Sequence, residues 1–350
     1  KKVYATINGF PFNSQIELLK KHIETMASLE PDGFIVAAPG VVKLCREIAP
    51  QIDIHLSTQA NVLNYLDAQV FWDMGVTRIV VAREISLKDV IEIKKHLPDM
   101  EIEIFVHGSM CFAYSGRCLV SAVQMGRVPN RGSCANDCRF EYTLYAANED
   151  HGTLFRLEEE PGVGTYIFNS KDMNLASHIK EIMDSGAVDS LKIEGRTKSP
   201  YYAAVTAKAY RNAIDDYYDG KFDADKYQRE LYTTKNRGFT DAYLIHRPFE
   251  KADSQNHDYA QSKGSYEVTG LVTEDEEHFL CKYKVYPNED IEIFTPKNEV
   301  LDECENEIGK IFKKDDLYYI NFKKIITETN KELESVHSGN VNKIKLPGKL

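Results

Sequence analysis

Six short runs of β-branched and apolar residues, each followed by a longer amphipathic stretch, leave this chain few folds to choose from. The runs occupy residues 3–8, 33–38, 52–56, 78–82, 101–106 and 190–193, and helical patterns fill 14–28, 41–48, 61–74, 86–97, 175–185 and 200–218. A short apolar run without alternation suits a strand buried on both faces, and strand–helix repeats imply parallel strands joined by right-handed crossovers. Asn13 or Ser14, Ser86 and Ser199 stand where N-caps belong, and Gly75, Gly186 and Gly220 stand where helices should stop. A closed (β/α) barrel has eight such units. The expected fold class is therefore α/β, a TIM-type barrel lacking its first two βα units. An open doubly wound sheet is the alternative.

The alternation breaks at residues 109–165, a Gly- and Cys-rich insertion at the carboxyl end of the fifth strand, where such folds place their sites. Residues 1–220 are expected to form the incomplete barrel and the polar, Tyr-rich stretch 221–262 a connector. Residues 263–350 are expected to form a small antiparallel β-barrel, with strands near 266–272, 278–285, 290–294, 307–312 and 317–322. No apolar run approaches the roughly 18–20 residues of a membrane-spanning helix. Lys1-Lys2 leads into Val3-Tyr4-Ala5-Thr6-Ile7, which reads as a strand rather than as an apolar signal core.

Acidic residues outnumber basic ones 54 to 43, a formal net charge of −11, so a nucleic acid wrapped over the whole surface is excluded and only a local basic site could hold one. That balance inverts locally. From Cys111 to Arg139 the chain carries Arg117, Arg127, Arg131 and Arg139 against Asp137 alone. The same stretch holds Cys111, Cys118, Cys134 and Cys138, four of the seven cysteines, with six, fifteen and three residues between them. An odd count crowded into one segment suits thiols in a reducing cytoplasm better than a disulfide framework. Four thiolates suit one tetrahedral zinc ion or a [4Fe–4S] cluster, and four reduced thiols without metal are the plain alternative. Structural zinc sites use two tight pairs, whereas here only the second pair is tight. The arginines fit the net negative charge of a thiolate-bound cluster. Cys45, Cys281 and Cys304 stand apart and read as structural.

The run Glu103-x-Phe105-x-x-Gly108-x-x-Cys111-x4-Gly116-x-Cys118-x-x-Ser121 resembles the signature of peptidase family U32, the collagenase-like proteins. So do His55-Leu-Ser57-Thr58-Gln59-Ala-Asn61, Val81-Ala-Arg83-Glu84, Asn169-Ser-Lys171-Asp172 and Leu191-Lys192-Ile-Glu194-Gly195-Arg196-Thr-Lys198, and the likeness reaches to about residue 245. Within the family the chain is most similar to the tRNA 5-hydroxyuridine synthases. That resemblance implies a [4Fe–4S] cluster on Cys111, Cys118, Cys134 and Cys138, with zinc as its possible substitute. It also implies oxygen-independent hydroxylation of a tRNA wobble uridine with prephenate as hydroxyl donor. Other members hydroxylate a cytidine of 23S rRNA or the ubiquinone ring. It implies, too, two further βα units at the start of full-length members.

Two rival functions stay open. The older family label is a peptidase or collagenase, yet the chain has no His-Glu-x-x-His and no Gly-x-Ser-x-Gly elbow. A Cys nucleophile with His107 as base would serve such an enzyme. A metal-stabilised RNA- or protein-binding module is the third class. Whether copies of the chain form a homo-oligomer is open.

Around the barrel mouth, Arg83, Arg196 and Lys198 are candidates to grip the carboxylates of a small co-substrate or RNA phosphates. Their alternative is an internal Arg–Glu ring with Glu84 and Glu194. His107, Glu194 and Arg83 are the candidate catalytic groups. His107 reads equally as a core histidine. Ser57, Thr58, Gln59 and Asn61 form a polar cluster after the third strand, a substrate-binding candidate. Tyr201, Tyr202 and Tyr210 read as helix packing before base stacking.

Overall fold

In the computed structural model, the described residues are 1–350 apart from 112, 141, 143–144, 148–151, 153, 157–168, 196–197, 247–253, 255, 257–263, 296–298 and 340–342. They divide into two units, Lys1–Ser199 with Ala209–Lys263, and Pro200–Lys208 with Gly264–Leu350. Among them no helix is long and apolar enough to cross a membrane.

The first unit alternates as its sequence demands. Its elements are β1 (Tyr4–Ile7), α1 (Ile16–Ala27), β2 (Gly33–Val36), α2 (Pro39–Ile48), β3 (Ile54–Leu56), α3 (Tyr65–Asp73), β4 (Arg78–Val80), α4 (Leu87–His96) and β5 (Glu101–Ser109). After β5 come the short α5 (Val120–Met125), an antiparallel hairpin of β6 (Tyr145–Ala147) and β7 (Leu154–Arg156), and β8 (Asp172–Asn174). The unit continues with α6 (Ile179–Asp184), β9 (Ser190–Ile193), α7 (Pro200–Tyr218), whose first half groups with the second unit, α8 (Ala224–Tyr232) and β10 (Phe239–Thr240).

Strands β1 to β5 lie side by side in sequence order, all parallel, and β9 adds to β5, again parallel. The order never reverses, so these six strands lack the switch point of a doubly wound sheet. Among the described residues β1 pairs only with β2, and the sheet is open at that edge. Strands β8 and β10 were not anticipated. The last residues of β5 pair antiparallel with β8, and β10 lies parallel to β8. The stretch 221–262, expected as a connector, therefore carries α8 and β10. It also sends the fully buried Tyr227 and Leu231 into the main core.

Local chemistry sets the element ends. Ser86 caps α4 by accepting from the Asp89 N–H at 3.2 Å, and Lys94, Lys95 and His96 in its last turn suit the negative end of the helix dipole. Asn13 and Ser14 do not cap α1. They lie inside a 3₁₀ turn, Asn13–Gln15, closed by the Gln15 Oε1 accepting from the Phe12 N–H at 2.9 Å. Helix α3 starts four residues later than its apolar pattern because Thr58–Ala60 forms a 3₁₀ turn, Asn61 follows it with φ 57°, and Asn64 then caps the helix.

Phe34, Ile54, Leu56, Ile79, Ile102 and Ile104 are fully buried, as the sheet's middle strands require. At the amino ends of the strands, Glu103 on β5 bridges Arg78 of β4 at 3.4 Å and Lys192 of β9 at 2.7 Å, and accepts from Ser190 Oγ at 2.9 Å. Burial opposes its charge, but Lys192, Ser190 and Arg78 outweigh burial and hold its carboxyl below the usual range.

The second unit is all antiparallel after its helical segment. It has a three-stranded sheet of β11 (Gly270–Val272), β12 (His278–Cys281) and β19 (Lys343–Lys345). A four-stranded sheet has the order β13 (Asp290–Ile293), β16 (Leu317–Phe322), β15 (Gly309–Lys314), β14 (Cys304–Glu305), and β17 (Ile325–Ile326) pairs with β18 (Glu332–Leu333). Phe279, Ile311, Ile320, Phe322 and Ile344 form its core. Residues 314–317 form a tight hairpin, with Asp315 and Asp316 both at positive φ.

Gly108 marks where β5 leaves its parallel neighbours. Its φ is +136°, and a Cβ there would stand 2.7 Å from the Glu194 Cβ and 2.9 Å from the Glu194 carbonyl oxygen. Gly108→Ala is expected to destabilise the protein by at least about 1–3 kcal/mol, measured as a lower urea midpoint. Gly40→Ala, where no atom lies within 4 Å of the added carbon, is expected to leave that midpoint unchanged or raised.

Candidate functional site

The carboxyl ends of β3, β4, β5 and β9 are tied to one another and to the cysteine segment. Ser57, just past β3, accepts from the Gln59 N–H at 3.3 Å and from Asn8 Nδ2, just past β1, at 3.5 Å. Thr58 Oγ1 donates to the Val81 carbonyl at 3.1 Å, fastening this turn to the end of β4. Ser57 and Thr58 thus spend their hydroxyls on architecture.

Gln59 and Asn61 do not. Gln59 packs on Gly116, where a Cβ would meet its Cγ at 2.9 Å, and Asn61 Nδ2 donates to the Ser115 carbonyl at 3.4 Å. Gln59 Oε1 and Asn61 Oδ1 are buried without hydrogen-bond partners. Orphaned acceptors beside a loop of cysteines are costly unless a ligand supplies the donor.

Arg83, past β4, donates to Ser115 Oγ at 2.9 Å, and its guanidinium lies 3.7 Å from the Phe105 ring centre. Burial lowers its pKa, while the charges of Cys111, Glu194 and Glu84 push back. Glu194, past β9, accepts from the Ser109 N–H at 3.1 Å, and its own N–H donates to the His107 carbonyl at 2.8 Å. The start of the cysteine segment is thereby clamped to the end of β9.

Cys111 lies within electrostatic reach of the other three cysteines, and Cys138 also within reach of Cys134. Cys111 feels the charges of Cys134 and Cys118, and Cys138 those of Cys111 and Cys134. All four are free thiols, Cys111 and Cys134 exposed, Cys118 and Cys138 half-buried. Crowding by protein raises the pKa of Cys111, opposed by Arg83 and Arg139, and raises that of Cys138, opposed by Arg139 and Arg237. Among the described residues no three His, Cys, Asp or Glu side chains are placed to hold a single metal ion. Two further groups beside Cys138 lack partners, both carboxylate oxygens of the buried Asp137 and the Arg139 Nε.

Arg237 escaped the sequence reading. It lies in the former connector just before β10, 2% exposed, and pairs with the 3% exposed Asp172 at 2.5 Å. Its charge reaches Cys138 and Lys198. Asp172 stands in the Asn169–Asp172 motif, but nothing in the local pattern named its partner 65 residues away. Lys198 is half-buried; burial lowers its pKa, Asp172 and Glu194 oppose, and Arg237 and Arg139 reinforce. Arg196 lies outside the described residues.

His107 lies in the interior, as the second of its two readings has it. It is 1% exposed, its ring edge-on to Tyr210 at 5.6 Å and tilted against Phe239 at 5.4 Å, with Tyr210 OH 3.4 Å from its Nδ1. Burial is the chief cause that pushes its pKa down to about 4. A neutral imidazole so enclosed packs β5 against α7 and β10 and does not face solvent. Tyr210 donates to the Val106 carbonyl at 2.6 Å and accepts from the Leu175 N–H at 3.1 Å, the packing role read for it in the sequence.

A sequence profile described as Peptidase family U32 matches residues 1–254. A Helicobacter pylori (strain ATCC 700392 / 26695) protein named tRNA hydroxylation protein P is 62% identical over 350 residues, which is 100% of this chain and 83% of that protein. Its Escherichia coli (strain K12) namesake is 36% identical over 356 residues, covering 89% and 78%. The 23S rRNA 5-hydroxycytidine C2501 synthase of the same organism is 34% identical over 214 residues, 61% of this chain and 31% of that protein.

Two stability measurements test this geometry. Between pH 6.5 and 4 the unfolded chain takes up a proton that the folded His107 refuses, so stability falls as pH falls through that window and is unaffected above it. The expected loss is up to about 3 kcal/mol, and it should vanish from the urea-midpoint profile of His107→Asn. Asp172→Asn strands the Arg237 guanidinium in the interior and is expected to cost about 3–5 kcal/mol. Asp172→Leu combined with Arg237→Met should recover most of that loss.

Proposed function

The chain belongs to peptidase family U32, and we propose that it is an RNA-modifying enzyme that hydroxylates C5 of a tRNA wobble uridine. The observation that carries this reading is 62% identity over all 350 residues with a protein named for tRNA hydroxylation. A relative named for making 5-hydroxycytidine in rRNA supports the same chemistry on a second pyrimidine. The reading places the site at the mouth of an incomplete (β/α) barrel, supported by six parallel strands in unbroken order and by the ties among the carboxyl ends of β3, β4, β5 and β9.

In this reading Cys111, Cys118, Cys134 and Cys138 hold a [4Fe–4S] cluster. The reading is supported by the electrostatic reach of Cys111 to the other three thiols and by the charges of Arg83, Arg139 and Arg237 beside Cys111 and Cys138. Such a cluster supplies electron transfer or Lewis-acid polarisation of a bound hydroxyl. Because crowding keeps the Cys111 and Cys138 thiols protonated at neutral pH, loading releases protons, and the nearby guanidiniums offset the negative charge that results.

The remaining roles follow from the residues in place. Gln59 Oε1 and Asn61 Oδ1 accept from the uracil N3–H or a ribose hydroxyl, which relieves their unpaired state. Arg83 and Lys198 hold the carboxylates of a small hydroxyl donor, prephenate in this proposal. Insertion of one oxygen atom at C5 removes two electrons from the uracil, so the donor that yields the oxygen is reduced by two. Glu194 keeps Ser109 and the cysteine loop in register while Arg83 is engaged by Ser115.

A peptidase built on these residues would need His107 as the base for a cysteine, and His107 is enclosed in the core with its pKa pushed down to about 4. Nothing at the mouth favours that reading.

Protein purified without oxygen is expected to show broad absorption near roughly 400 nm from thiolate-to-iron charge transfer, lost in Cys111→Ser and Cys138→Ser. Mass spectrometry of tRNA nucleosides should find 5-hydroxyuridine missing from a deletion strain, restored by the wild-type chain and not by either variant. Colourless, iron-free protein that still restores the nucleoside would sink the cluster assignment. An unchanged nucleoside profile in the deletion strain would sink the uridine assignment.

A further inference from the structure

We propose that Phe10 and Phe12, with Arg117 and Arg131 laid over them, form a platform that binds unpaired RNA nucleotides beside the cysteine loop. The inference rests on the RNA-modifying reading above and adds a contact surface to it.

The segment between β1 and α1 presents its two phenylalanines to the cysteine excursion. The Arg131 guanidinium carbon lies 4.1 Å from the centre of the Phe12 ring, and that of Arg117 lies 5.4 Å from the centre of the Phe10 ring. Gln15 holds one pair in place, its Oε1 accepting from Arg131 Nη2 at 3.4 Å and from the Phe12 N–H at 2.9 Å. Phe12 is nonetheless 66% exposed, a ring with no polar group left standing in water. A guanidinium stacked on a ring keeps its N–H edges free for phosphate or base edges, and the open remainder of the ring suits a base.

Charge says what kind of partner fits. The whole chain, at −11, repels a polyanion, yet between Cys111 and Arg139 four arginines face one aspartate. Such a local excess of arginine suits a polyanion. The platform also borders the candidate site. Arg117 sits between Gly116, which packs on Gln59, and Cys118, while Asn8 at the other end of the phenylalanine segment reaches Ser57. A single strand is the occupant because stacking needs splayed bases, which a duplex does not offer. The nucleotides held here would be those flanking the reactive uridine.

The test uses the full chain prepared without oxygen and a labelled anticodon stem–loop carrying a wobble uridine, with a blunt RNA duplex as the control probe. Fluorescence anisotropy should show binding of the stem–loop weakened about tenfold by Phe12→Ala. Arg131→Gln should weaken it by about as much and lower the salt slope by about one, whereas Arg131→Lys should keep the slope and lose only part of the affinity. If Phe12→Ala fails to fold, Arg117→Gln, an exposed substitution, carries the same expectation as Arg131→Gln. Wild type and variants that bind the stem–loop within twofold of one another, at unchanged salt slope, would overturn the platform alone. Equal binding of the duplex would overturn the single-strand assignment. A wild type that binds neither the stem–loop nor whole tRNA would overturn the RNA reading together with it.

Discussion

Strand β5 is the element on which the site depends. Its first half is sealed between β4 and β9 by parallel pairing and by Glu103, which joins cations from both neighbours. Beyond the reach of β4 its last three residues pair antiparallel with β8, while His107 still pairs with Ile193 of β9. The change of partner happens at His107 and Gly108, where a neutral imidazole fills the interior and a missing side chain lets the end of β9 come close. Because the strand is held so firmly up to Ser109, the cysteine loop leaves from a defined point and direction.

Charge around that loop is distributed by the fold rather than by the segment itself. Arg139 belongs to the excursion, but Arg83 comes from the end of β4 and Arg237 from just before β10. Arg237 is costly to bury and is tolerated because Asp172 meets it in the interior. The pair thus serves stability and, through its nearness to Cys138 and Lys198, the electrostatics of the mouth.

The βα rhythm could be read from residue types because strands buried on both faces need unbroken apolar runs and helices need amphipathic ones. The six parallel strands and the Ser86 cap are products of that local chemistry. The crowding of four cysteines and four arginines into residues 111–139 is likewise visible in the sequence itself. What stayed hidden is non-local. Strand β10 is two residues long and gains its place by pairing with β8, so no periodicity announces it. Arg237 acquires meaning only through Asp172. For His107 the sequence left a strand-end acid and a core histidine equally open, because position along a strand does not reveal that Tyr210 and Phe239 close over it. Ser57 and Thr58 looked like ligand groups, but their hydroxyls are taken up by neighbouring backbone and Asn8.

Two glycines in the motif run differ in what could ever replace them. At Gly108 the obstacle includes the Glu194 carbonyl oxygen just past β9, which no exchange of side chains can move. At Gly116 the obstacle is the stem of Gln59, which a smaller residue would withdraw. The first position is closed to variation by the main chain. The second, apart from its left-handed φ, forms a volume pair with position 59, so a carbon gained on the loop must be surrendered on the turn after β3.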